Sequence, residues 1–503
     1  MHSFRGMTAP PAILDGVRRG EIASFCMFTY NFESLVQFRR LNESLYAAAR
    51  EGGLPPPIIG IDQEGGQLIP IRDGATLLPG NMALGATQSP ELAYAAGKML
   101  ATELLAVGCN LNFAPVMDLN NNPDNLAVGI RAFGDRPADV ARMGVALIAG
   151  MQDVGVIASA KHFPGHGDTS TDSHFGVPVV NKPRAELDDN ELYPFKEAVK
   201  SGVWSVLTGH LLFPTLDPEN VATASHRILT GLLREEWGYD GLIITDAMDM
   251  HAINRMGKRE SVRAALEAGI DLVLMAHLTE QLEMTAEMTH LENAASRQRI
   301  QQARERAPLV LPALDVIGSA EHKAVAQAIA DAAITRVRNA GQLPLRPAPE
   351  TEIAVITVRP TNITPADTSE GEKINLAETI RARHPRVTAL EFDYQAPIRD
   401  INPILEASEN ADIVIVGTVC ADQDETQAAL VRELYRRGKQ PIVISLRTPY
   451  DVRAFPEIET YLCAYSYRPV STEAIARVLF GEIEARGVLP CTIPGGSTET
   501  VQA

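Results

Sequence analysis

Short apolar runs alternate with longer amphipathic stretches over roughly the first 300 residues, and this alternation restricts the chain to few folds. The runs have the length of buried strands, and the stretches between them, such as 93–108 and 185–202, have the pattern of helices. The apolar runs lie at 22–28, 57–61, 109–116, 156–160, 204–208, 241–245 and 271–275. Strands alternating with helices pair in parallel, and about eight such units form a closed barrel. We therefore predict an N-terminal (β/α)8 barrel of the TIM type over residues 1–315.

A second α/β pattern follows the first. Residues 280–340 are charged and helical in character, and the stretch 343–352 is rich in proline. A further set of apolar runs lies at 353–358, 387–392, 412–418, 441–446 and 461–466, with helical segments between them. This pattern predicts an αβα sandwich domain with a mainly parallel sheet over residues 351–503. Residues 316–350 are then a helical and proline-rich linker.

Composition excludes several classes of function. The 63 acidic residues against 45 basic residues give a net charge of −18, so the chain lacks the basic surplus that nucleic acid or an anionic membrane would require. No GxxxxGK(S/T), GxGxxG or GxSxG motif points to a kinase, a dehydrogenase or a serine hydrolase. The sequence shows no apolar run long enough to span a membrane and no signal-peptide pattern, so we expect a soluble cytoplasmic protein.

The cysteines add no separate chemistry. They are scattered, odd in number and free of CxxC pairs, which predicts small buried core residues in a reducing compartment. They are Cys26, Cys109, Cys420, Cys463 and Cys491.

Polar residues follow four of the apolar runs directly. Asp62 follows 57–61, Asp118 follows 109–116, Lys161 and His162 follow 156–160, and Asp246 follows 241–245. One aspartate after a strand is often only a helix N-cap. In a parallel barrel, however, all four positions open onto the carboxyl end, where active sites form. The sequence therefore predicts an active site built from these clusters.

The loop KHFPGHGDTSTDSHFGVP, residues 161–178, carries three histidines and allows three interpretations. A zinc site would use His162, His166 and His174, but proline and glycine between the first two disfavour the helical spacing that such ligands need. The histidines could instead hold a structural loop together. In the third interpretation, Asp172 orients the His174 imidazole, which then transfers a proton near neutral pH.

Asp246 is the candidate nucleophile. A carboxylate at a rigid strand end can attack an anomeric carbon and form a covalent glycosyl-enzyme. Asp249 is the rival carboxylate three residues further on. The partner acid/base in such enzymes is normally a second carboxylate, whereas this chain offers a histidine assisted by an aspartate.

These motifs together resemble glycoside hydrolase family 3, in its bacterial β-N-acetylglucosaminidase branch and its longer two-domain form. The matching stretches are IDQEGG (61–66), NFAPVMDLNNNPDN (112–125), GIRAFGDRP (129–137), KHFPGHGDTSTDSH (161–174) and GYDGLIITDAMDM (238–250). The resemblance implies that Asp246 is the nucleophile and that Asp172 and His174 form the acid/base dyad. It places Asp62, Arg131, Lys161 and His162 against an N-acetylglucosamine residue, and it implies no cofactor and no metal.

Two stretches depart from the family pattern. Gln67 stands where these enzymes commonly have arginine, and ATASHRIL (222–229) is a loose version of the usual motif. We expect both to lie on the leaving-group side. The expected activity is that of a retaining exo-acting β-N-acetylglucosaminidase on a carbohydrate with a terminal β-N-acetylglucosamine, such as a muropeptide fragment in cell-wall recycling. A phosphorylase that uses phosphate instead of water and an inactive sugar-binding protein are the alternatives; the natural leaving group and the oligomeric state stay open.

Overall fold

The N-terminal domain is built on parallel strands that follow one another round a sheet in chain order. The structure, a computed structural model, describes residues 1–169, 172–173, 176–254, 257–276, 280–291, 293–306, 308 and 310–495. Six strands pair in the order β1-β2-β3-β4-β5-β6. They are β1 Ser24–Cys26, β2 Ile58–Ile61, β3 Leu111–Asn112, β4 Ile157–Phe163, β5 Ser205–Thr208 and β6 Leu242–Thr245. Each was predicted from an apolar run.

Two further segments close this sheet into a barrel. Residues 272–275 follow β6 through a parallel bridge between Ile244 and Leu272. The Met1 amino group donates to Val273 O at 2.7 Å, and Met275 N donates to Met1 O at 3.0 Å. His2 in turn forms a parallel bridge with Phe25 of β1. Eight parallel segments therefore complete a hydrogen-bonded circuit, as the predicted barrel requires. The sequence revealed seven of them, because residues 1–3 are too short to register as an apolar run.

Helices surround the barrel. They are α1 Pro11–Arg18, α2 Leu35–Glu51, α3 Asn81–Thr87, α4 Pro90–Ala106, α5 Pro137–Asp153, α6 Arg184–Asp189, α7 Tyr193–Lys200, a π-helix Arg227–Glu236, α8 Lys258–Ala268, α9 Gln281–Met288 and α10 Ala294–Glu305. The Ser89 side chain caps α4 by accepting from Leu92 N. Helices α4 and α5 approach so closely that a Cβ on Gly97 would lie 2.2 Å from Leu147 O. Only glycine permits this packing.

The second domain has one mixed sheet between helices. Its strands are β7 Thr335–Arg338, β8 Ile353–Arg359, β9 Val387–Asp393, β10 Ile413–Thr418, β11 Ile442–Ser445 and β12 Thr460–Cys463, in the order β7-β12-β11-β10-β8-β9. Its helices are α11 Ala320–Ala333, α12 Leu376–Arg381, α13 Ile401–Ala407, α14 Glu425–Arg436 and α15 Pro469–Leu479. All pairs are parallel except β7 with β12, so the sheet is mainly parallel as predicted. The stretch 316–350 contains α11 and also β7, so this part of the chain already joins the second sheet.

The loops after the second sheet's strands face the carboxyl end of the barrel. Arg468, after β12, donates to Gly66 O at 2.9 Å, and Glu372, after β8, pairs with Arg72 at 2.9 Å. Tyr450 Oη, after β11, accepts from Asn120 at 3.0 Å. The predicted two-domain α/β fold is thus confirmed, with the strand ends of both sheets turned towards the same region. The cysteines are buried free thiols, as predicted. Among the described helices, none is long and apolar enough to cross a membrane.

Candidate active site

A cavity of about 480 Å³ opens at the carboxyl end of the barrel and collects most of the predicted site residues. Of those residues, the ones that line it are Asp62, Arg131, Lys161, His162, Asp172 and Asp246. His174 lies outside the described residues, so the structure says nothing about its side chain. The convergence follows from topology, because the residues after parallel strands meet at one end of a barrel.

Asp246 is held directly after β6. Its backbone N–H donates to Thr208 O at 3.0 Å, and its Oδ1 accepts from Ala247 N at 2.7 Å. These bonds fix a carboxylate oxygen at the strand end. Asp249 also lines the cavity but is more exposed. Proximity to the cavity alone therefore does not separate the two carboxylates, of which Asp246 lies directly at the end of β6.

The floor of the cavity, formed by Asp62, Arg131 and Lys161, belongs to a charge network centred on Glu64, which is buried behind it. Lys161 Nζ lies 2.7 Å from Asp62 Oδ1 and 2.5 Å from Glu64 Oε1. Arg131 forms a bidentate ion pair with Glu64: Nε donates to Oε2 at 2.9 Å and Nη2 donates to Oε1 at 2.8 Å. Sequence reasoning did not single out Glu64, although it lies in the quoted IDQEGG motif. The sequence feature that could have pointed to Glu64 is its position two residues after Asp62, just past the end of the same strand.

The ion pairs keep this network charged despite burial. Burial favours a protonated Glu64, but Arg131 and Lys161 outweigh it and lower the pKa of Glu64 to about 2. Burial similarly opposes the charge on Lys161, and Asp62 and Glu64 raise its pKa above the usual value. The cavity floor therefore presents fixed charges at neutral pH, which need no rearrangement when a polar ligand arrives.

Asp118 organises two described histidines, His162 near the end of β4 and His166 in the loop that follows. Its carboxylate lies 2.7 Å from His162 Nδ1 and accepts from His166 N at 2.7 Å. Arg131 Nη2 lies 3.3 Å from His162 Nε2. Because a guanidinium only donates, this Nε2 is an acceptor and the neutral ring carries its proton on Nδ1. Asp118 thus fixes the His162 tautomer, a role that the sequence did not predict.

The contacts of His162 and His166 bear on the zinc, structural and proton-transfer interpretations of residues 161–178. The His162 and His166 rings lie 6.1 Å apart at 79° and are each engaged by protein oxygens. Burial lowers the pKa of His166, whose Nε2 lies 3.3 Å from Ser173 Oγ. In the part of the chain that the structure describes, no three metal-ligating side chains gather into a metal site. Asp172, next to Ser173, lines the cavity as the proton-transfer interpretation requires.

The second domain also lines the cavity, through four consecutive residues that sequence reasoning missed. They are Pro365, Ala366, Asp367 and Thr368. Gln67 and residues 222–229, all described, do not themselves line the cavity, and their place on the leaving-group side stays a prediction. The Gln67 side chain turns to the second domain, and Thr223 bonds to Thr208 and His210 beneath the site.

A barrel whose carboxyl end holds a carboxylate-lined cavity, with a sandwich domain contributing to that lining, is the arrangement expected of a two-domain glycoside hydrolase. Comparison with family models agrees. Residues 12–309 match the glycosyl hydrolase family 3 N-terminal domain, and residues 334–502 match the family 3 C-terminal domain. The chain therefore belongs to glycosyl hydrolase family 3, and the predicted resemblance is confirmed.

Two of the relatives cover nearly the whole chain, and a third covers two thirds of it. It is 30% identical to Beta-hexosaminidase A of Pseudoalteromonas piscicida, over 97% of this chain and 92% of that protein. A family 3 β-N-acetylglucosaminidase from Paenibacillus sp. str. FPU-7 is 33% identical, with a TM-score of 0.91 over 100% of this chain and 97% of that one. NagZ of Neisseria gonorrhoeae, in complex with N-trifluoroacetyl-D-glucosamine, is 28% identical, with a TM-score of 0.57 over 66% of this chain and 96% of that one.

Proposed function

We propose that this chain is a retaining, exo-acting β-N-acetylglucosaminidase, a β-N-acetylhexosaminidase that works through a covalent bond to Asp246. The observation that carries the proposal is the shared cavity, in which Asp246 at the end of β6 faces the charged floor built on Asp62, Lys161 and Arg131. The relatives named as β-hexosaminidase and β-N-acetylglucosaminidase support the choice of sugar.

The floor binds the sugar in this proposal. Asp62 accepts from hydroxyl groups, and Lys161 has one N–H beyond the two that face Asp62 and Glu64. Arg131 already gives bonds to Glu64, Ala127 O and His162, which leaves at most one N–H for the acetamido group. Specificity for the amide then comes from a few oriented donors that would stay unpaired with a plain glucoside.

The reaction proceeds in two displacements. The Asp246 carboxylate attacks the anomeric carbon while the bond to the leaving oxygen breaks, and His174 supplies the proton to that oxygen. Water then gives a proton to His174 and its oxygen displaces Asp246, which releases the sugar with retained configuration. Asp172 orients the imidazole of His174. Asp62, Arg131, Lys161 and His162 hold the sugar throughout.

The charge of the cavity favours water over phosphate as the acceptor. Among the described residues, its lining carries five acidic side chains, Asp62, Asp172, Asp246, Asp249 and Asp367, against two fixed cations, Lys161 and Arg131; Arg447, behind the lining, pairs with Asp367. Both cations are already paired with carboxylates. An incoming phosphate dianion would meet net negative charge at short range, where like charges repel by several kcal/mol. The phosphorylase alternative is therefore the weaker proposal.

Product identity tests the acceptor and the substrate together. The purified protein is incubated with an aryl β-N-acetylglucosaminide, with and without millimolar phosphate, and the sugar product is identified. We expect free N-acetylglucosamine in both cases, and a kcat/KM at least about a hundredfold higher than on the matching β-glucoside. Predominant N-acetylglucosamine 1-phosphate would establish the phosphorylase, equal use of the glucoside would remove the acetamido specificity, and no turnover would favour the inactive sugar-binding protein.

The proton donor is tested through the leaving group. An activated aryl leaving group needs little protonation, so His174→Ala should lower kcat/KM far more on poor leaving groups than on good ones. Asp172→Ala should show the same trend more weakly. An equal loss across the series would contradict the role of the dyad. The part in cell-wall recycling and the cytoplasmic location stay predictions from the sequence.

A further inference from the structure

Gln67 joins the barrel to the pocket-lining part of the second domain. Its Oε1 accepts from Arg447 Nη2 at 2.6 Å, and its Nε2 donates to Ala366 O at 2.9 Å. Its backbone carbonyl accepts from both the N–H and the hydroxyl of Thr368, each at 2.9 Å. One residue of the barrel thereby fixes two of the four second-domain residues that line the cavity.

Arg447 completes the connection from the second domain. Its side chain is about 2% exposed, and its Nη1 donates to Asp367 Oδ2 at 3.0 Å while Nη2 reaches Gln67. A buried guanidinium needs an anion and oriented acceptors, and these two partners supply them. An arginine at position 67 would bring a second cation against Arg447. Glutamine suits position 67 better than arginine does, because its neutral amide accepts from the Arg447 guanidinium and also donates to Ala366 O.

We propose that residues 365–368 are a specificity-determining wall for the leaving group, and that Gln67 and Arg447 are the positioning residues that hold this wall against the barrel. The proposal rests on the function proposed above. The charged floor proposed for the terminal sugar is built from barrel residues, and residues 365–368 of the second domain line the same cavity, where they are available to the next unit of the substrate. Pro365 and Ala366, with Leu68 and Pro70 of the barrel, offer an apolar surface suited to the ring face of a second pyranose.

The experiment compares a leaving group that reaches the wall with one that does not. The substrates are the β-1,4-linked N-acetylglucosamine disaccharide and β-N-acetylglucosaminyl fluoride, whose leaving group is a single atom. Gln67→Arg should lower kcat/KM on the disaccharide about tenfold, mainly through KM, and change the fluoride by no more than about twofold. Arg447→Gln should show the same selective loss.

Exchanging the two side chains between positions 67 and 447 distinguishes loss of the Gln67–Arg447 contact from a general folding defect. In the double variant Gln67→Arg with Arg447→Gln, one guanidinium again faces one amide, so disaccharide activity should recover beyond the sum of the single effects. Arg136→Gln is the matched control, because Arg136 donates to Leu489 O of the second domain outside the cavity. It should leave both substrates unchanged.

The possible results distinguish failure of the proposed wall, residues 365–368, from failure of the proposed glycosidase activity. An active parent whose single variants lose both substrates equally, or lose neither, overturns the wall while the glycosidase stands. A double variant that shows no recovery overturns the positioning role of the pair. A parent that releases no N-acetylglucosamine from either substrate overturns the proposed function and the wall with it.

Discussion

Glu64 in the barrel and Asp451 in the second domain are both buried carboxyl groups near the domain interface, yet their surroundings drive them to opposite protonation states. Glu64 faces Arg131 and Lys161, which lower its pKa to about 2. Asp451 is held by the Thr418 hydroxyl at 2.5 Å and Ala421 N at 2.9 Å. Burial, together with the neighbouring Asp422, raises the pKa of Asp451 to about 8.

The difference in pKa between Glu64 and Asp451 comes from the groups that bond to each carboxyl group. Both carboxyl groups follow a strand that pairs in parallel with its neighbours, but Glu64 bonds to Arg131 and Lys161 whereas Asp451 bonds to a hydroxyl and a backbone N–H. Where cations are present, they keep the buried carboxyl group charged, and Glu64 in turn holds the cavity-lining Arg131 and Lys161 in place. Where hydroxyl and amide groups are the partners, burial yields a neutral group suited to packing. The two domains thus hold similarly placed carboxyl groups in opposite protonation states, because the pKa of Glu64 is lowered and that of Asp451 is raised.

The largest effect should come from Asp246, the proposed nucleophile in the barrel. Asp246→Asn should lower kcat by about a thousandfold or more, roughly 4 kcal/mol of barrier, because an amide cannot form the glycosyl ester. Asp249→Asn is the matched control and should keep most activity. Labelling of the parent with a 2-deoxy-2-fluoro glycosyl fluoride should modify Asp246. A label on Asp249 would transfer the role to that residue.

The next effect concerns the stability of the charged floor. Glu64→Gln should destabilise the fold by about 3–5 kcal/mol at neutral pH, because Arg131 and Lys161 lose the anion between them. Since the folded pKa of Glu64 is depressed, its contribution is present above about pH 4.5 and is lost as pH falls towards 2. Calorimetric melting from pH 3 to pH 8 measures it. A variant as stable as the parent at pH 7 would show that the network contributes little.

A smaller and opposite effect is expected for the second domain. Because the folded pKa of Asp451 is raised, the parent loses stability as pH rises from about 4, the unfolded value, to about 8. Asparagine mimics the protonated group, so Asp451→Asn should gain about 2–4 °C in Tm over the parent between pH 5 and pH 8. Melting curves at both pH values give the comparison, and a constant difference would mean that Asp451 does not titrate in this range.

The smallest expected effect is that of a chelator. The acidic groups of the cavity floor are held by protein cations, so dialysis against EDTA should leave kcat and Tm unchanged within error. Loss of activity that zinc restores would revive the metal interpretation of the histidine loop.

The local sequence pattern was enough to predict which polar side chains lie at the strand ends. The apolar runs before Asp62, Lys161 and Asp246 predicted three strands, and parallel pairing then required these side chains to meet at one end. The same reasoning predicted the second domain and its mainly parallel sheet. These properties depend on short-range hydrophobic pattern and on the direction of the chain, both of which are written in consecutive residues.

Tertiary structure alone decided the partners of those side chains. The central position of Glu64, the closure of the barrel by residues 1–3, and the link from Gln67 to Arg447 all join residues far apart in sequence. The link spans 380 positions, so no local period or spacing could indicate it. Whether a buried carboxyl group is charged or neutral depends on which distant cation the fold brings beside it, and that is a property of packing rather than of sequence pattern.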